Sequence, residues 1–174
     1  MNGQRPDSRG PRGPRTPRPR PPSEFEERVI QIDRVARVVK GGRRFRFRAT
    51  IVLGDKKGRV GLGIAKGADV QTAIQKAVAD AKKEMITVRI LNDTIPFEYL
   101  SQFAGAKVLL KPASAGTGII AGGAVRPIIE LSGITNILSK SLGSDNRINN
   151  AKATLAALKD ISKTDLTPIL PKAK

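Results

Sequence analysis

The sequence predicts an α+β chain of two small domains, and three patterns carry that reading. Apolar–polar alternation runs through residues 44–53 and resumes at Val60, a helical apolar stripe follows, and the C-terminal half holds a second mixture of short strands and helices. In the first half Phe45, Phe47, Ala49, Ile51 and Leu53 alternate with Arg44, Arg46, Arg48, Thr50 and Val52, the period of a half-buried strand. The phenylalanines are therefore expected in the core and the three arginines on the opposite face. Residues 29–39 are apolar-rich but their phase slips, as in a strand with a bulge. Lys40-Gly41-Gly42-Arg43 and Gly54-Asp55-Lys56-Lys57-Gly58 are turns, so the three strands form an antiparallel meander. Ile74, Ala77, Val78, Ala81 and Met85 then lie on one stripe of a helix. Asp69 occupies its N-cap position, and Lys82 and Lys83 complement the dipole in its last turns.

In the second half, residues 86–91 and 107–111 read as strands separated by an irregular stretch around Pro96. A glycine-rich loop at 112–123 precedes a helix over 124–131, where Pro127 is tolerated near the first turn. Residues 134–139 read as a further strand, and 150–161 as a helix with Ala153, Leu155, Ala156, Leu158 and Ile161 on its apolar side. The expected division is an arm at 1–22, a first domain at 23–88, a second at 89–165 and a short tail at 166–174. The arm holds seven Pro, three Gly and six Arg, too little apolar surface to offset its ordering entropy, and is expected to be a disordered basic segment.

Charge narrows the function. The 174 residues carry 32 Lys and Arg against 15 Asp and Glu, a net +17, with no His, Cys or Trp. No zinc ribbon, thiolate nucleophile or imidazole base can be built, so neither a catalytic centre of those kinds nor a cofactor is expected. Disulfides are impossible, which fits a reducing cytoplasmic compartment. No apolar run reaches the ~20 residues of a membrane span, and the Pro/Arg-rich start is not a signal peptide. A polyanionic partner would relieve the self-repulsion.

The surplus is concentrated. Residues 34–66 hold 11 basic side chains and one acid, Asp55. Arg44, Arg46 and Arg48 share one face of a strand, flanked by Arg34, Arg37, Lys40, Arg43, Lys56, Lys57, Arg59 and Lys66, an array suited to a phosphate backbone. Gly41 and Gly42 permit close approach of backbone to a surface, although a plain hairpin turn explains them almost as well. In the loop at 112–123, Gly116-Thr117-Gly118 with Ala121 formally matches a dinucleotide fingerprint. The same loop resembles the phosphate loop of the galactose, homoserine and mevalonate kinases, which leaves a nucleotide-binding kinase as the alternative. Against both, the ribose-binding acid expected ~20 residues on is missing and carboxylates for Mg²⁺ are scattered. A close-packing or RNA-contacting loop is the favoured reading.

Taken in order, the motifs resemble one family. They are Arg34-Val35-Ala36-Arg37-Val38-Val39-Lys40-Gly41-Gly42-Arg43-Arg44-Phe45, then Gly54-Asp55-Lys56-Lys57-Gly58-Arg59-Val60-Gly61-Leu62-Gly63, then Pro112-Ala113-Ser114-Ala115-Gly116-Thr117-Gly118-Ile119-Ile120-Ala121-Gly122-Gly123-Ala124-Val125-Arg126, and Gly143-Ser144-Asp145-Asn146. The run is similar to the fifth protein of the bacterial small ribosomal subunit. That resemblance implies a double-stranded-RNA-binding-like first domain, with a three-stranded antiparallel sheet plus helix. It implies a second α/β-sandwich domain of the kind shared with those small-molecule kinases, without catalysis. It further implies a ribosome-bound protein whose 37–43 loop reaches small-subunit ribosomal RNA between head and body, close to where spectinomycin binds. Gly116, Gly118, Gly122, Gly123 and Arg126 would lie at the contact with small-subunit protein four and influence decoding accuracy. Small-subunit protein eight and messenger RNA, where it enters the subunit, are the other implied partners.

Overall fold

A computed structural model describes residues 24–164, so the arm at 1–22 and the tail at 166–174 lie outside the described residues. The meander forms as β1 (Glu26–Val39), β2 (Gly42–Gly54) and β3 (Arg59–Gly67), all antiparallel. The phase slip in β1 is a register shift between Val29 and Gln31, the expected bulge. After α1 (Val70–Lys83) the chain returns as β4 (Ile86–Thr87), a two-residue strand that pairs with β3 and extends the sheet to the order β1-β2-β3-β4. Two residues are too few to show a period, so the expected strand at 86–91 shrinks to this pair. Asp69 stands at the N-cap of α1 in extended conformation, but its carboxylate caps no amide; only its carbonyl accepts, from Ala73 N–H at 3.0 Å.

Helix α1 lies very close to the sheet because β3 presents glycine where it crosses. A Cβ on Gly63 would run into the Ala77 carbonyl and approach the Ala81 amide to 2.6 Å. Ala73, Ala77 and Ala81 are the buried stripe of the helix; the first two pack with Ala49 and Ile51, and Ala81 lies against Gly61 and Gly63. Small residues on both sides give a tight contact rather than an aromatic core.

The second domain pairs β5 (Tyr99–Phe103), β6 (Ala106–Pro112), β8 (Ile137–Ser141) and β7 (Ile119–Ile120) in that spatial order, with β7 parallel to β8 and the rest antiparallel. Helices α2 (Arg126–Ser132) and α3 (Arg147–Lys163) complete it. Pro127 sits in the first turn of α2, and Gly133 ends that helix at φ 90°. The Asn146 side chain caps α3 by accepting from the Ile148 and Asn149 amides at 3.0 and 3.4 Å, which starts the helix ahead of residue 150.

One apolar core joins the domains. Val52, Val60 and Leu62, on the sheet face away from α1, pack with Ile95, Val108, Leu110, Ile128, Ile129, Ile134, Leu158 and Ile161. The first sheet is therefore covered by α1 on one side and by the second domain on the other. That cover ends before the sheet does.

Candidate nucleic-acid interface

Strand β3 pairs with β2 only from Phe47 to Gly54, whereas β1 pairs with β2 as far as Val39 and Gly42. Residues 34–46 therefore project as a two-stranded ribbon. Its turn closes through Gly42 at φ 132°, and a Cβ placed on Gly41 or Gly42 would meet nothing within 4 Å. The tip is open surface.

Cross-strand register decides which cations stand free. Arg37 lies directly opposite Arg44, Arg46 opposite Val35, and Arg43 opposite Val38. Like charges placed opposite one another destabilise a ribbon unless an anion faces them. Among the described residues, Arg37, Lys40, Arg43, Arg44 and Arg46 have no ion pair. Arg48 differs. Its partner across the ladder is Asp33, which accepts from Arg48 Nη2 at 2.7 Å and Nε at 3.1 Å and from Gln31 Nε2 at 2.5 Å. These bonds, the Arg48 guanidinium first, hold the Asp33 carboxyl below its ordinary value of 3.8. The expected triad of free arginines is a pair plus a neutralised third.

The core position expected for Phe45 is corrected. Its side chain is 47% exposed, because neither β3 nor α1 reaches that end of β2. The Arg34 guanidinium lies over the ring, 3.8 Å from its centroid. Phe47, one pleat closer to the helix, is half-buried against the α1 cluster.

The second basic turn is built into the junction between the domains. Lys56 N–H donates to the Leu131 carbonyl at 3.0 Å and Gly58 N–H to the Ser132 carbonyl at 2.9 Å. Lys56 pairs with Glu26, and Arg59 bonds Asp55 at 2.7 Å and Glu24 at 3.2 Å. The Asp55 side chain is only 4% exposed and accepts from the Lys57 and Arg59 amides at 2.8 and 3.0 Å. Its burial alone would raise the carboxyl, but the Arg59 side chain and the two amides outweigh it and hold the group below 3.8. Arg28 adds a bridge from β1 to Glu130 of α2 at 2.7 Å. Lys57 and Lys66 are exposed, with no ion pair among the described residues, and Lys66 lies opposite Arg48 on β3.

The glycine loop is held from behind. Gly116 and Gly118, at φ 89° and 75°, both donate their amides to Asn136 Oδ1 at 3.1 Å. Amides that would cradle a phosphate therefore point at a side chain of the same chain. Arg126 Nη2 donates to the Ile119 carbonyl at 3.0 Å. Cβ atoms on Gly116, Gly118, Gly122 or Gly123 would meet nothing within 4 Å, so the outer side of the loop is bare. Asn136 is the residue that sequence reasoning missed, since it lies 18 positions beyond Gly118 and belongs to no motif. No three acids among the described residues gather as a metal site, and no helix there is long and apolar enough to cross a membrane.

Compared with known families, residues 25–89 match the model for ribosomal protein S5, N-terminal domain, and residues 101–167 match that for ribosomal protein S5, C-terminal domain.

Proposed function

The chain belongs to the ribosomal protein S5 family, and we propose that it grips small-subunit ribosomal RNA chiefly through the 34–46 ribbon. Membership carries a structural role in the small ribosomal subunit and association with ribosomal RNA and other ribosomal proteins. One observation supports the ribbon as the main contact: it holds six Lys and Arg with no acid, and none of the six has an ion pair among the described residues. Arg37, Lys40, Arg43, Arg44 and Arg46 would take phosphates, with Gly41 and Gly42 letting the backbone close in. Arg34, Lys57 and Lys66 extend the footprint, while Arg48, Lys56 and Arg59 contribute less because carboxylates already hold them. Recognition is by phosphate position and RNA shape rather than by base edges.

The bare glycine loop supports docking of a protein neighbour. Gly116, Gly118, Gly122, Gly123 and Arg126 would meet small-subunit protein four, a contact through which decoding accuracy is tuned. The second domain also meets protein eight. Bound between head and body, in the cytoplasm, the protein steadies their arrangement and lines the path by which messenger RNA enters. It performs no catalytic step and takes no small-molecule substrate or cofactor.

The test replaces Arg43, Arg44 and Arg46 with Ser in the full chain and titrates binding to small-subunit ribosomal RNA across salt. Affinity should fall on the order of 100-fold at moderate salt, and the slope of log K against log salt should become shallower by about 2–3. An unchanged slope would refute the ribbon as the phosphate contact.

A further inference from the structure

We propose that Phe45 is a stacking platform for an unpaired nucleobase of the RNA held by the ribbon. The proposal rests on the RNA-binding reading above and adds to it a contact that phosphate neutralisation does not need. The chain is poor in aromatics, with five Phe, one Tyr and no Trp. Three of the six are engaged within the fold, since Phe97 and Tyr99 meet edge to face at 6.4 Å and Phe47 packs on the α1 cluster, while Phe103, 39% exposed, lies under the Lys152 ammonium. Phe45 instead stands on the projecting part of β2, 47% exposed, beyond the last residue that β3 pairs.

Its surroundings suit a base. The Arg34 guanidinium lies over the ring, 3.8 Å from its centroid, so the ring already holds a cation against its face and a base can add a further layer to the pair. Ala36 lies directly opposite Phe45, and Val38, 74% exposed, is the next residue on that face. These three side chains are apolar and offer phosphates nothing, yet Arg34 and Arg43 share their face within a ribbon of six cations and no acid, so a polyanion must approach it. RNA is the polyanion that also carries flat apolar faces. In a duplex those faces are covered by neighbouring pairs, so only a bulged or looped-out base can reach the ring. Every base has such a face, so the contact selects for an unpaired nucleotide without choosing its identity.

The experiment uses the full chain and two RNA stems of equal length, one fully paired and one with a single bulged adenine. Because the chain holds no Trp, a Phe45→Trp variant reports on this position alone. Its emission should be quenched by the bulged stem and not by the paired one. Phe45→Leu should weaken binding to the bulged stem about tenfold while leaving the paired stem and the salt slope unchanged, and Phe45→Tyr should restore it. Equal behaviour of the two stems, with RNA binding intact, overturns the stacking site and leaves the phosphate reading standing. Failure of the unaltered chain to bind either stem overturns both. If Phe45→Leu binds RNA normally but is shed from assembled small subunits, the face belongs to a protein neighbour and the proposal is wrong.

Discussion

Turn 40–43 and turn 54–59 of the first sheet are both short, glycine-bearing and rich in Lys and Arg. At the first, no carboxylate lies within the ribbon, a Cβ on either glycine would meet nothing within 4 Å, and the cations have no ion pair among the described residues. At the second, Asp55 organises the loop from inside, Glu24 and Glu26 take its cations, and its amides bond the end of α2. A basic turn whose charge the fold leaves uncompensated is available to an outside anion. When carboxylates are supplied and the backbone is docked, the same composition becomes a joint.

That contrast can be broken most severely at the joint. Asp55→Ala removes a nearly buried acceptor of three hydrogen bonds and should cost about 2–3 kcal/mol of stability by thermal or urea unfolding. Folding lowers the Asp55 and Asp33 carboxyls below 3.8, so both stabilise the protein above that pH and the benefit is lost as pH falls through their folded values. The unaltered chain should therefore lose Tm steeply below about pH 4, and Asp55→Ala less steeply. A parallel decline in the two proteins would show that Asp55 is not the acid-sensitive group.

Asn136→Ala should cost about 1–2 kcal/mol, because two loop amides lose their acceptor. It should leave the salt slope of RNA binding untouched, as the loop is no part of the ribbon. Smaller still is Arg48→Ser, which breaks a half-exposed pair with Asp33 and should cost less than about 1 kcal/mol. RNA binding by that variant should change less than that of Arg44→Ser, whereas an equal slope change would mean that Arg48 leaves Asp33 for phosphate.

The meander, its bulge, α1 and the charge concentration are all legible in the sequence because each is a local pattern. Alternation in β2 correctly assigns Phe45 and Arg44 to opposite faces. It cannot say where the cover on a face stops, and that depends on β3 ending at Gly67 opposite Phe47. The neutralisation of Arg48 needs the β1–β2 register, which brings Asp33 across 15 positions of chain. Asn136 serves the glycine loop only through the β7–β8 pairing, and β7 is two residues long, with no period to read. What escaped the sequence reading is in each case a contact between segments, made by geometry that no single segment encodes.

We propose that the ribbon, and not the joint, carries the RNA. This is tested most directly by comparing two paired substitutions, Arg37→Ser with Arg44→Ser, and Lys56→Ser with Arg59→Ser, in salt titrations against small-subunit ribosomal RNA. The ribbon pair should make the slope shallower by about 1.5–2 and the joint pair by less than about 0.5. An equal fall for the two pairs would mean that the joint carries the RNA as much as the ribbon does.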